Sequence, residues 1–354
     1  MTAVHETESL INVVNTCDNF RPHLSSEPLV PFLLAPNIRP ALGLLRPSVV
    51  AALRADNDWR NAHGRPLAWN IPKDSDTDNG NGVPLPYVAF SPPLASGTPA
   101  ARTLALADTL ERWRAAANDG DGKYSANEFA GVIGGTRWRA EWYDVYLTPG
   151  GALRADGRDP LNVLEAPMNA RAYVFSMERS ACALFGVITY GVHMTVYEQD
   201  AHGCVQVWVP RRALTKPTFP GMLDNSVAGG IPGGTTVLDT VVKEATEEAS
   251  LDPELVRRLA RAVGAVSYYF QTKAGWLQPE VEYVYDMCLE PGEAQLAPMD
   301  GEVEYFELMS LDEIIVHMHA GDFKPNCALV LIDFMPRYVE ITQRLHGQLD
   351  LEKW

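Results

Sequence analysis

Residues 229–251 read GGIPGGTTVLDTVVKEATEEASL, a glycine-rich loop running into a helix. Along that helix Glu244, Glu247 and Glu248 stand at i, i+3 and i+4, a spacing that turns their carboxylates to one face. Like charges on adjacent turns repel unless something cationic joins them. Lys243, four residues before Glu247, offsets one of them and leaves the other two unpaired. A hard divalent cation is the natural partner for what remains. Mg²⁺ suits best, with Mn²⁺ as a possible substitute, because it takes oxygen ligands, keeps several waters and bridges to phosphate oxygens. Thr236 and Asp239 form a variant of the capping box, which fixes where the helix begins relative to the glycines. On the carboxylates alone, a solvated acidic helix face is the competing account.

With the glycine loop placed where it is, the segment resembles the Nudix box, G-x5-E-x7-R-E-U-x-E-E-x-G-U with U an aliphatic residue. Gly229 matches the opening glycine, Glu244, Glu247 and Glu248 the three core glutamates, and Leu251 the closing aliphatic. Thr235 stands where the box has its first glutamate, Lys243 where it has arginine, Ser250 where it has glycine, and Ala245 replaces the inner aliphatic. Lysine keeps the charge of arginine but loses its planar fork. Ser250 must accept the helix-end conformation that glycine takes freely, at a cost of ~1 kcal/mol.

The phrases ERSACALFGVITYGVHM (Glu178–Met194), WVPRRALTKPTFPGMLDNSVAGG (Trp208–Gly230), DGEVEYFELM (Asp300–Met309) and FKPNCALVLIDF (Phe323–Phe334) look like one Nudix subfamily. Its members carry an N-terminal domain of unassigned function and are related to the Nudix part of fungal thiamine pyrophosphokinase proteins. DNF (Asp18–Phe20) and RWRAEWYDVY (Arg137–Tyr146) fit that N-terminal domain. The resemblance implies an α+β chain: a Nudix α/β/α sandwich over residues 166–354, behind a mixed α/β domain over 1–165. It also implies metal-dependent hydrolysis of an organic diphosphate, thiamine diphosphate or its oxidised forms, to the monophosphate and phosphate. Glu244, Glu247 and Glu248 would hold the metal, with Glu247 and Glu248 also catalytic.

Lys216, with Arg211 and Arg212 nearby, is the candidate for holding the terminal phosphate, since an acidic chain needs a local basic cluster to receive a diphosphate. Gly229 and Gly230 complete that substrate-binding group. Glu302 and Glu304 could add a metal ligand, a substrate contact or the base that activates water, a solvated strand edge being the alternative. His193 reads as a satisfied core histidine, and Trp138 and Trp142 as packing residues more than stacking platforms. Two rival functions stay open: an isoprenyl diphosphate hydrolase of specialised metabolism, and a retired Nudix scaffold that binds without turnover.

The remaining sequence sets bounds. The chain has 354 residues, room for two domains, and 46% hydrophobic residues, enough for a full core. With 29 Lys plus Arg against 45 Asp plus Glu, the net charge of −16 argues against nucleic acid and anionic membranes as partners. The stretch MTAVHETESLINVVNTCDNF has neither a basic n-region nor an apolar h-region, so a cytoplasmic protein is expected. The 5 dispersed cysteines read as reduced, buried small hydrophobes. Oligomeric state is open.

Helices are expected at 46–54, 98–118, from Ser125, at 237–249, 253–263, 311–319 and 326–345. Strands are expected at 139–147, 183–188, 192–197, 205–209, 265–270 and 281–287. Lys73–Pro86 reads as an exposed loop. Asp119 to Glu128 resembles the later part of an EF-hand loop, but Ala117 holds the first ligand position, so calcium binding is not expected.

Overall fold

The computed structural model describes residues 9–73, 86–119, 126–147, 173–199 and 204–338. Its first half runs α1 (Ile11–Cys17), β1 (Val30–Leu33), β2 (Gly43–Leu45), α2 (Pro47–Ala62), β3 (Trp69–Asn70), β4 (Val88–Phe90), α3 (Pro92–Ala95), α4 (Pro99–Asp119) and α5 (Ala126–Ile133). Prolines open α2 and α4, where the missing N–H has no helical partner to lose. Helix α2 runs past the expected end at Arg54 because Val49, Ala52, Leu53, Asp56 and Arg60 continue one buried stripe. The last two are polar, which hides the stripe from a reading of hydrophobicity. The strands form a sheet ordered β2-β1-β4-β3, with β1 and β4 parallel.

The chain continues with β5 (Trp142–Tyr146) and β6 (Tyr173–Glu178), which pair with each other, and α6 (Cys182–Phe185). Strands β7 (Thr189–Gln199), β8 (Val205–Arg212) and β9 (Val227–Gly230) precede helices α7 (Val237–Ala249) and α8 (Pro253–Leu259). Strands β10 (Arg261–Gln271), β11 (Leu277–Leu289) and β12 (Val303–Ser310) and helices α9 (Leu311–Ala320) and α10 (Pro325–Phe334) follow. The main sheet is ordered β10-β11-β7-β8-β12, with β9 also paired to β7 and only the β7–β11 pair parallel.

Alternation along β7 sorts the two faces. Val192, Met194 and Val196 pack with Val237, Val241 and Ala245 of α7. On the other face, Tyr197, Val207 and Val209 pack with Ile314 and Met318 of α9, Leu331 and Phe334 of α10, and Val14 of α1. Helices therefore cover both faces, the expected α/β/α sandwich within a mixed α+β chain. A separate core joins Phe32, Trp69 and Phe90 of the first sheet to Phe175 of β6, Phe185 of α6 and Trp276.

Three expectations are corrected. Residues 183–188 are not a strand: α6 ends in a turn at Gly186, whose φ is 54°. Helix α8 stops at Leu259, since from Arg261 the chain pairs with β11 and the ladder outweighs helical propensity. Helix α10 gives way to a 3₁₀ turn, Met335–Arg337, because Pro336 cannot supply the next helical N–H. Cys17, Cys182 and Cys327 are buried as expected, whereas Cys204 and Cys288 are exposed. Trp138 packs against the first core with the Arg114 guanidinium 4.5 Å from its ring centre, and Trp142 is exposed. The domain division near 165, most of the 73–86 loop, Ser125, most of the EF-hand-like segment and residues 339–345 lie outside the described residues. Among the described residues, no helix is long and apolar enough to cross a membrane.

Candidate active site

Helix α7 starts where its sequence says it should. The Thr236 hydroxyl accepts the Asp239 N–H at 3.1 Å. The Asp239 carboxylate accepts from the Thr236 hydroxyl at 2.7 Å and from Arg257 at 2.7 Å, in place of the backbone half of a capping box. At the far end Ser250 adopts the left-handed conformation, φ 57°, and its hydroxyl donates to the Ala297 carbonyl at 2.9 Å, offsetting part of the strain. Thr235 donates to the Pro232 carbonyl at 2.7 Å, so the box position lacking a glutamate closes the loop instead.

Between these ends the carboxylates differ. Glu248 accepts the Ala228 N–H at 3.1 Å. Burial, with Asp224 and Glu244 adding repulsion, pushes its pKa up to about 8. Glu244 is also raised by burial, against the pull of Lys243. A Cβ on Gly229 would lie 2.4 Å from the Glu244 carboxyl carbon, so only glycine leaves that carboxylate its seat. Lys243 does more than expected: its ammonium lies 3.1 Å from Glu244 and 2.6 Å from Glu247, bridging two of the three carboxylates. Its pKa rises to about 12: burial opposes this, and the Glu247 and Glu244 carboxylates outweigh it. Lys243 and Glu247 are each about half exposed, and such pairs contribute ~0.2–1 kcal/mol, little resistance to displacement by a dication.

As they stand, no three His, Cys, Asp or Glu side chains among the described residues converge as a metal cage. The donor set nevertheless fits a hard cation: carboxylate oxygens only, with a half-buried Glu248 that has no cationic hydrogen-bond partner among the described residues and Glu244 seated over Gly229.

These side chains open on a cavity of about 1290 Å³. Lys216 lines it and is ion-paired with Glu302, which also lines it. Arg212 lines it too, but its guanidinium is engaged by Asp224 and by the carbonyls of Thr218 and Phe219, both at 3.1 Å. Arg212 thus braces the loop that presents Lys216. Arg211 donates to Tyr305 and to the Gly221 carbonyl. Glu304 accepts the Leu214 N–H at 3.3 Å behind that loop and does not line the cavity. His193 is buried, bonded through Nδ1 to Asn225 at 2.6 Å, a satisfied core histidine whose ring edge reaches the cavity.

Sequence reasoning missed the polar groups at the other end of the cavity: Glu280 and Glu282 of β11, Tyr268 of β10, Tyr143 of β5 and Lys324 before α10. A signal existed. Glu280 and Glu282 fall on one face of a strand that runs on into the buried stretch Tyr283–Met287, and a charge beside such a run needs a reason. Tyr268 donates to both carboxylates, at 2.8 Å to Glu282. Burial and the neighbouring Glu282 raise the pKa of Glu280; burial would raise Glu282 too, but His193 and Tyr268 hold it down. A Cβ on Gly191 would lie 2.1 Å from Glu282, and one on Gly230 1.6 Å from the Tyr143 hydroxyl.

A glycine-edged, carboxylate-bearing loop and helix laid on a mixed sheet define this part of the chain, and residues 189–327 match the family model of the NUDIX domain. The second half of the chain therefore contains a Nudix domain. It is similar to an uncharacterized protein of Saccharomyces cerevisiae, 36% identical over 248 residues, 64% of this chain and 65% of that one. It is likewise similar to Nudix hydrolase 20, chloroplastic, of Arabidopsis thaliana, 40% identical over 196 residues, 55% of this chain and 51% of the relative. The chain thus matches between half and two thirds of the length of these relatives. A crystal structure from Deinococcus radiodurans superposes with a TM-score of 0.31 at 22% identity, covering 40% of this chain and 80% of that one.

Proposed function

We propose that the protein is a divalent-metal-dependent pyrophosphohydrolase that cleaves an organic diphosphate to its monophosphate and phosphate. Thiamine diphosphate or an oxidised form of it is the preferred substrate. The observation that carries the reading is the seat of Glu244 over Gly229, beside a half-buried Glu248 and in one cavity with Lys216. Resemblance of the surrounding phrases to the thiamine-related Nudix subfamily supports the choice of organic half.

Glu244, Glu247 and Glu248 would hold Mg²⁺ or Mn²⁺, which supplies Lewis acidity toward phosphate oxygens and acidifies water. The chain's own groups do the rest. Lys216, released from Glu302 as phosphate enters, neutralises the terminal phosphate. Glu302, freed by the same exchange, is placed to take a proton, as is Glu247 once Lys243 moves off it. Gly229 and Gly230 let the phosphates approach the backbone closely.

The test is phosphate release from a panel of diphosphates with Mg²⁺. Glu248→Gln should lower turnover by about a hundredfold or more, the scale of a lost catalytic carboxylate. Unchanged turnover would overturn the mechanism. The Lys243 bridge favours the second reading, a scaffold that binds without turnover; metal-dependent activity in the natural protein would exclude it.

A further inference from the structure

The cavity extends well past the carboxylates of α7, and its far end carries polarity that phosphate chemistry does not use. The Tyr143 side chain is 95% buried, being 5% exposed, and its hydroxyl has no hydrogen-bond partner among the described residues. Burial pushes this phenol's pKa upward, so the hydroxyl keeps its proton and has one to donate. Across from it, Glu280 and Glu282 share the single hydroxyl hydrogen of Tyr268. One phenol cannot satisfy two carboxylates at once. Thr189 reaches Glu280 at 3.3 Å, while Asn326 reaches Glu282 only at 3.5 Å and the His193 Nε2 stands 3.7 Å from it. The cations on this side are drawn elsewhere as well: Arg179 bonds Glu141 at 2.8 Å, and Lys324 lies in the field of Asp224 as well as Glu282. Phe270 and Trp276 supply apolar wall.

Resting on the hydrolase reading above, we propose that Tyr143, delivered from the first half of the chain, joins Glu280 and Glu282 in a subsite for the organic half of the diphosphate, selecting a planar heteroaromatic group, with hydrogen-bond-donating or positively charged nitrogens for the carboxylates and an acceptor nitrogen for the Tyr143 hydroxyl, over a hydrocarbon chain. Carboxylates with aromatic walls stabilise such a ring, whereas a prenyl chain would bury the same polar atoms unpaired. Specificity of this kind is steep, because the penalty falls on the site's own orphaned groups. Tyr143 is a specificity residue here, and only glycine at 230 leaves its hydroxyl room, since a Cβ there would collide with it.

The experiment uses the full chain and two probes: free thiamine, which has the nitrogens and no phosphate, and isopentenyl diphosphate, which has the phosphates and no nitrogen. Tyr143→Phe keeps the ring, and its thermal midpoint checks the fold. It should weaken thiamine binding about tenfold, the loss of one hydrogen bond to a polar partner, as should Glu280→Gln. For thiamine diphosphate hydrolysis, Tyr143→Phe should raise KM by a similar factor with kcat kept, and it should raise kcat/KM for isopentenyl diphosphate, whose chain then meets one orphaned group fewer. No thiamine binding by the natural protein, or equal binding by the variants, overturns the subsite even if diphosphates are cleaved. Thiamine binding lost in the variants, with no diphosphate cleaved, upholds the subsite and overturns the hydrolase reading.

Discussion

Gly229 and Gly230 are adjacent yet serve opposite faces of one short strand. Gly229 pairs with Val192 and clears space for Glu244; Gly230 pairs with Gly191 and clears space for Tyr143. Replacing Gly229 by alanine therefore meets the movable end of a side chain and not backbone. Gly229→Ala should leave the urea midpoint nearly unchanged, within the ~0.5 kcal/mol usual for sites without a structural penalty. It should instead displace the Glu244 carboxylate and raise the Mg²⁺ concentration for half-maximal activity about tenfold, the order seen when a metal site's support is lost. A metal titration of activity alongside urea denaturation separates the two effects; lost stability with unchanged metal dependence would contradict the seat assigned to Glu244. Of the site at this scale, the α7 carboxylates and Lys216 were legible, because helical spacing and charge are local properties. Tyr143 was not, because its hydroxyl is notable only for lacking a partner among the described residues, and Glu280 and Glu282 signalled a burial but not the cavity they share, which is known only once the chain is folded.

Among the elements, α2 and α4 are joined by polar groups where an apolar seam would be the ordinary solution. Asp56, 2% exposed, accepts from Arg60 at 2.8 Å, Trp69 at 2.9 Å, Thr109 at 3.1 Å and Arg112 at 2.5 Å. One carboxylate thus ties two helices and β3 together. Asp56→Ala should destabilise the protein by about 1–3 kcal/mol, since it takes a buried acceptor from Arg60, Arg112, Thr109 and Trp69 while Asp108 keeps both arginines paired. Urea unfolding followed by circular dichroism reads this directly, and a loss below ~1 kcal/mol would mean the arginines find water. The helix itself was legible from Pro47 and its apolar start, but its length was not: its second half is held by Asp56 and Arg60, whose burial follows from pairing across helices. Helix α7 was legible end to end, because its cap, its apolar stripe and its αL stop all lie within the segment.

For the whole molecule, the segment around Asp224 is where the layers meet. Its backbone N–H bonds the Pro210 carbonyl at 3.0 Å, and its carboxylate pairs with Arg212 of β8 and accepts from Cys327 of α10. Burial alone would raise the Asp224 pKa, but Lys324 and Arg212 outweigh it and hold it well below the usual range. A depressed carboxylate contributes stability above its unfolded pKa of about 3.9 and loses it as pH falls below that value. The urea midpoint should accordingly fall as the pH drops from about 4 to about 2, and fall less steeply in Asp224→Asn, which starts lower. Equal slopes in the two proteins would remove Asp224 from the account.

By itself, the sequence determined the start and stop of α7, the carboxylate face and the basic loop, because each rests on periodicity, capping or charge within a few residues, whereas the sandwich followed from the family resemblance. Only the tertiary structure decided that α1 packs on α10 across most of the chain, that Lys243 bridges two carboxylates, that Arg212 is a brace, and that β5 brings a tyrosine to the cavity of a distant sheet. These depend on which surfaces meet when apolar area is withdrawn from water, and that choice is made by the whole chain at once.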